Sequence, residues 1–107
     1  EKIEDSLFND MKSLREISLT GNEIYYLDKE ATKNLTSLET FKLDKNKFGL
    51  INLRIENLEK VDVLNMNNNY IKVLKSFTFK NTKKIGLLDL TFNNMIDIEY
   101  NAFYSLE

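Results

Sequence analysis

The stretch IGLLDLTFNNM, residues 85–95, decides the fold. Its inner residues alternate, with Leu88 and Leu90 apolar and Leu87, Asp89 and Thr91 between them, which is the period of a strand with one buried face. The alternation stops at Asn93, a residue whose short amide bonds readily to turn backbone. Apolar Ile85 and Met95 bracket the whole. The same grammar recurs upstream as LREISLTGNEI at 14–24, LETFKLDKNKF at 38–48 and VDVLNMNNNYI at 61–71. The starts at 14, 38, 61 and 85 are 24, 23 and 24 residues apart. Four segments that agree in four apolar columns and one Asn column define a tandem repeat, and a repeat overrides residue-by-residue readings of the fold.

The remainder of each unit keeps the register. Thirteen residues after each start stand Leu27, Ile51, Leu74 and Ile98, with Ile3 in the same slot of a preceding unit. A bulky column runs Phe8, Thr32, Ile55, Phe79, Phe103, and a second runs Met11, Leu35, Leu58, Thr82, Leu106, in which the two threonines are the odd members. A strand this short must be followed by a chain that travels round and starts the next strand in parallel, about 4.8 Å away. Each coil then encloses a slab of core that only its neighbours complete. Asn22, Asn46, Asn69 and Asn93 are expected to stack as a structural ladder at the strand exits. The Phe column is expected to be buried core on the return side. The chain divides into a partial unit at 1–13 and units at 14–37, 38–60, 61–84 and 85–107 of one array, expected to be a fragment of a longer one, because end units normally carry caps that the repeat pattern does not show here.

The pattern LxxLxLxxNxL in units of about 24 residues, the ending Ala102-Phe103-Tyr104-Ser105-Leu106 and the stretch Asp89-Leu90-Thr91-Phe92-Asn93-Asn94 resemble the leucine-rich repeat family. The resemblance covers the whole chain. Two departures are the absence of proline after the Asn loop and the second unit's missing residue. What the resemblance implies is an α/β solenoid: a right-handed horseshoe arc with a concave parallel β-sheet and an irregular or short-helical convex side. The unit length and the AF-x-x-L form are similar to animal extracellular repeats of the Toll-like and adhesion types.

Composition limits the chemistry. With His 0 and Cys 0 there is no Ser-His-Asp or Cys-His arrangement and no zinc site of the usual kind. Three scattered glycines, Gly21, Gly49 and Gly86, form no phosphate-cradling loop. No carboxylate pair is singled out by spacing. No catalytic residue, metal or cofactor is therefore expected. The formal charge of −2 gives no electrostatic reason for nucleic acid or an anionic membrane. No apolar run nears the roughly 18 residues of a spanning helix.

Function is expected on the outward strand positions: Glu16, Ser18, Thr20; Thr40, Lys42, Asp44; Val63, Asn65, Asn67; Leu87, Asp89, Thr91. This face is polar in the first two units, then carries Val63 beside Leu87, with Phe92 at the strand exit and Tyr70 on the adjoining edge nearby. Apolar and aromatic neighbours rimmed by polar residues are the make-up of a protein interface. Val63, Leu87, Phe92 and Tyr70 are the expected anchors, and Lys42, Asp44, Asn65 and Asp89 the residues that set register. Lys72, Lys75, Lys80, Lys83 and Lys84 read as a solvated face. Asn34-Leu35-Thr36 matches the N-glycosylation acceptor. The reading is a non-catalytic protein-binding module of an extracellular recognition protein: a receptor ectodomain, an adhesion protein or an innate-immune factor. Its partner would be a protein ligand or co-receptor, with homo- or heterodimerisation open. An intracellular scaffold or regulatory subunit in the cytoplasm is the alternative.

Overall fold

The computed structural model describes residues 2–4, 7–8, 10–50 and 53–106. In chain order its strands are β1 (Lys2–Ile3), β2 (Glu16–Ser18), β3 (Tyr26–Leu27), β4 (Thr40–Lys42), β5 (Val63–Asn65), β6 (Val73–Leu74), β7 (Leu87–Asp89) and β8 (Asp97–Ile98). β2, β4, β5 and β7 form one parallel sheet in that order. Ile17, Phe41, Leu64 and Leu88 stand opposite one another across it. The hydrogen-bonded ladder continues one residue past each strand, with the amides of Leu19, Leu43 and Met66 each donating over 2.8 Å to the carbonyls of Lys42, Asn65 and Asp89. Two further parallel pairs, β1 with β3 and β6 with β8, lie on the descending side of the coils. Ile51, whose column includes Leu27 and Leu74, lies outside the described residues, as do the terminal residues Glu1 and Glu107. The molecule is a parallel β-solenoid of about four turns.

The return segments are turns, not helices. Among the described residues the single helical element is a 3-10 turn at Ala31–Asn34, so the helical layer of an α/β solenoid is absent there. The reason is local. Asn57, Asn81 and Ser105, spaced 24 residues apart, hold φ of 65°, 60° and 85°, and a left-handed residue stops helix propagation. Within this layer Thr32 and Thr82, the odd members of the apolar columns, are fully buried. The Thr82 hydroxyl donates to the Ile55 carbonyl at 2.9 Å and accepts from the Leu58 amide at 3.3 Å, both one coil away. The Thr32 hydroxyl donates to the Glu56 carbonyl of the next coil. Each threonine gives up some apolar contact and ties two coils together at a point where no strand ladder serves the backbone.

One contiguous core fills the coils. The Phe column enters it unequally. Phe8 and Phe79 are buried, whereas Phe103 is 43% exposed, although its ring stacks on Phe79 with centroids 6.0 Å apart. Ile98 likewise is 48% exposed where its counterpart Leu74 is 1%. No described coil lies beyond the last one to cover them.

Candidate binding face

Strand register arranges the outward side chains in rows. Glu16, Thr40, Val63 and Leu87 make the first row; Ser18, Lys42, Asn65 and Asp89 make the second. Thr20, Asp44, Asn67 and Thr91 follow at the strand exits, where the amides of Gly21, Lys45 and Asn68 donate to the carbonyls of Asp44, Asn67 and Thr91. The first row passes from polar to apolar along the array. Val63 is half-buried, and Leu87 beside it is 58% exposed.

The polar rows are largely bonded to themselves. The Thr20 hydroxyl donates to Asp44 Oδ1 at 2.9 Å, and Asp44 is only 8% exposed. Asp44 therefore lies largely beneath the surface and serves the sheet more than a partner. Asn67 Nδ2 donates to Asn65 Oδ1 at 2.7 Å and to Asp89 Oδ2 at 3.2 Å. Asp89 Oδ1 accepts the Thr91 amide at 3.0 Å and the Thr91 hydroxyl at 2.7 Å. These donors, the Thr91 amide first, then the Thr91 hydroxyl and Asn67, hold the Asp89 carboxyl below its ordinary pKa, against a smaller opposing effect of burial. Lys42 Nζ lies 3.6 Å from Glu16 of the neighbouring strand. Exposed pairs of this kind contribute at most about 1 kcal/mol, so that contact fixes orientation more than stability.

The aromatic residues form a separate group. Tyr70 (52% exposed) and Phe92 (76% exposed) line a cleft of about 250 Å³ together with Asn68, Lys72 and Asn94. Phe92 follows Leu87 by five residues, up to about 16 Å of extended chain. The eight expected contact residues thus fall into an apolar pair at the strand starts, a self-bonded polar band, and an aromatic edge at the strand exits. Phe92 also carries a φ of 57°. Its counterparts in the other units, Gly21, Lys45 and Asn68, also hold positive φ, so the exit turn and not a functional role sets this conformation.

Asn22, Asn46, Asn69 and Asn93 occupy the floor of the exit turns. Asn46 Oδ1 accepts the amides of Asn22 (2.8 Å) and Ile24 (2.9 Å) in the preceding coil, and its Nδ2 donates to Leu19 O there at 2.8 Å. Asn93 repeats this toward Asn69, Ile71 and Met66. Asn69 accepts the Phe48 amide at 3.0 Å and donates to Leu43 O at 3.1 Å. Asn22, first in the series, is exposed, with its amide donating to Thr20 O at 3.3 Å. Asn34 ends the 3-10 turn and is half-buried, while Thr36 of the same triplet is exposed. Among the described residues no helix is long and apolar enough to cross a membrane.

Compared with known proteins, residues 1–48 match the family model described as leucine rich repeat. The match covers the partial unit, the first complete unit and the strand of the next, less than half of the chain, and β5 and β7 continue the same ladder with apolar residues at the inward places. Repeats of this family commonly mediate protein binding and are generally non-catalytic interaction modules. No solved structure matches the chain.

Proposed function

We propose that this stretch of leucine-rich repeat is a non-catalytic protein-binding segment that recognises its ligand on the sheet face and its exit edge. One observation carries the reading: the polar side chains of the face are tied to one another, whereas Leu87, Tyr70 and Phe92 stand bare beside them. A face of that kind is already ordered before a partner arrives, so binding loses little side-chain entropy, and its bare apolar groups supply the favourable area. Leu87 with Val63, and Phe92 with Tyr70, are the anchors. Lys42, Asn65 and Asp89 set register, with Asp44 acting beneath them through Thr20.

The setting we propose is extracellular: a receptor ectodomain, adhesion protein or innate-immune factor with a protein ligand or co-receptor, able to pair with itself or a related chain through this face. The repeat form and the Asn34 acceptor triplet support it. Mass spectrometry of the Asn34 peptide from the native source tests the setting. A glycan is the expected result, and an unmodified peptide would favour the cytoplasmic scaffold. The face itself is tested by capture from native fluid with the parent and with Leu87→Asp and Phe92→Asp variants of unchanged melting temperature. A partner held by the parent and lost by either variant supports the reading. One held equally by all three places the site elsewhere.

A further inference from the structure

We propose a second binding site, on the return side of the third coil, for an acidic peptide segment that carries an aromatic residue. The site lies outside the sheet face proposed above and stands or falls independently of it. Residues 71–85 contain five lysines, at 72, 75, 80, 83 and 84, and no aspartate or glutamate, in a chain of net charge −2. All five are exposed. The five ion pairs among the described residues use Arg15, Lys33, Lys42, Lys47 and Arg54, and none uses a lysine of this run. Most acids of neighbouring coils are engaged elsewhere. Glu56 is buried against Arg54 Nε at 2.8 Å, and Glu99 accepts the Ser76 amide at 2.7 Å. Glu59 lines adjoining clefts with Lys80 and Lys83, and Glu30, which shares the first of them, is paired with Lys33. A strip of five lysines that form no ion pair among the described residues, with one neighbouring acid, Glu59, outside the ion pairs, attracts an acidic partner.

The middle of the strip has shape as well as charge. Arg54, Phe77, Lys80, Asn81 and Tyr104 line a cleft of about 430 Å³. The Phe77 and Tyr104 rings meet edge to face with centroids 5.3 Å apart, and 39% and 60% of these residues remain exposed. Phe77 holds a φ of 63°, which its repeat counterparts Glu30, Arg54 and Asn101 do not share, so the repeat does not require it. Exposed aromatic rings between two cations suit a ligand that offers a ring or apolar side chain flanked by carboxylates. In the bound state a ligand carboxylate meets the Lys80 ammonium, with the Asn81 amide beside it, and the ligand ring lies on the open face of Tyr104. A glycan polyanion would use the lysines and leave the rings idle.

The test is an amide-shift titration of the ¹⁵N-labelled chain with the peptide acetyl-Asp-Asp-Tyr-Asp-Asp-amide. Acetyl-Asp-Asp-Ser-Asp-Asp-amide and a heparin tetrasaccharide serve as comparison ligands, and Lys80→Glu and Tyr104→Ser as variants. Saturable shifts centred on Phe77, Lys80, Asn81 and Tyr104 are expected. The serine peptide and either variant should each weaken the affinity by about tenfold, the scale of one lost charged or stacking contact. Equal binding of the tyrosine and serine peptides, tighter binding of the tetrasaccharide at the same residues, or no saturable shift would each overturn the proposal. The variants' unperturbed spectra away from the cleft distinguish a lost site from a lost fold.

Discussion

At the scale of single residues, the amide at the ninth place of each unit does more than its neighbours. Asn69 serves the Phe48 amide and the carbonyls of Leu43, Met66 and Asn67, and is itself buried. An unmet buried backbone group costs about 1–3 kcal/mol. Asn69→Ala should therefore destabilise the array by about 3 kcal/mol, several groups being left short and the costs not adding in full. Asn22→Ala removes one exposed bond and should cost less than about 0.5 kcal/mol. Urea unfolding of the two variants checks this. Equal losses would mean that position in the stack is irrelevant to the amide's role. The Asn column was legible because every unit spells it with the same letter. The residue before it was not: Gly21, Lys45, Asn68 and Phe92 all adopt positive φ, at 73°, 57°, 55° and 57°, yet share no chemistry that marks the place. The backbone there is dictated by the turn; Gly21 and Asn68 suit it, whereas Lys45 and Phe92 tolerate a conformation they do not favour.

At the scale of the element, strands were easier to read than returns. Alternation at Ile17 and Leu19, Phe41 and Leu43, or Leu64 and Met66 is a direct print of the sheet's two faces, and register follows because the repeat aligns it. The return segments carry apolar columns without a helical period, so their burial was legible and their conformation was not. Thr32 and Thr82 look like flaws in sequence because a hydroxyl's partner in the next coil is visible only in three dimensions. Of the expected anchors, sequence placed Phe92 at the strand exit, near Leu87, because strand and exit turn are adjacent in the chain. The exit turns also differ in tightness. Gly49 has a φ of 104°, and a Cβ there would overlap the Tyr70 carbonyl carbon and oxygen. That is backbone against backbone, which has no rotamer to yield. Gly21 has a φ of 73° and open space around it. Gly49→Ala should cost well over the about 1–2 kcal/mol of a left-handed alanine and should broaden amide signals of Tyr70 and Ile71. Gly21→Ala should cost only that conformational term. A Gly49→Ala melt indistinguishable from the Gly21→Ala melt would show that the Tyr70 backbone yields to the added methyl without cost.

At the scale of the whole molecule, the stack is unequal at its two ends. The first complete coil is covered on its return side, where Ile3 and Phe8 of the partial unit are buried with Leu27 and β1 pairs with β3, although β2 is itself an edge strand. The last coil is bare on its outer side, with Leu88, Leu90 and Met95 half-buried and Ile98 and Phe103 exposed, while their counterparts Leu64, Met66, Ile71, Leu74 and Phe79 are at most 1% exposed. β7 and β8 each pair on one side alone among the described residues. Unpaired edge strands over exposed apolar side chains are a template for association. In a solenoid, stability is a sum of coils and interfaces, so a coil lacking one interface also frays first. Residues 1–107 as an isolated polypeptide should accordingly self-associate in a concentration-dependent way, and hydrogen exchange should be fastest in residues 85–106. A double variant, Ile98→Lys with Phe103→Lys, puts charge on the bare side without touching β2, β4 or β5. It should shift sedimentation toward the monomer at the same concentration, while exchange protection of residues 38–71 stays as in the parent. A parent that sediments as a monomer with one sharp, concentration-independent melt would show that the last coil is stable with its outer side in water.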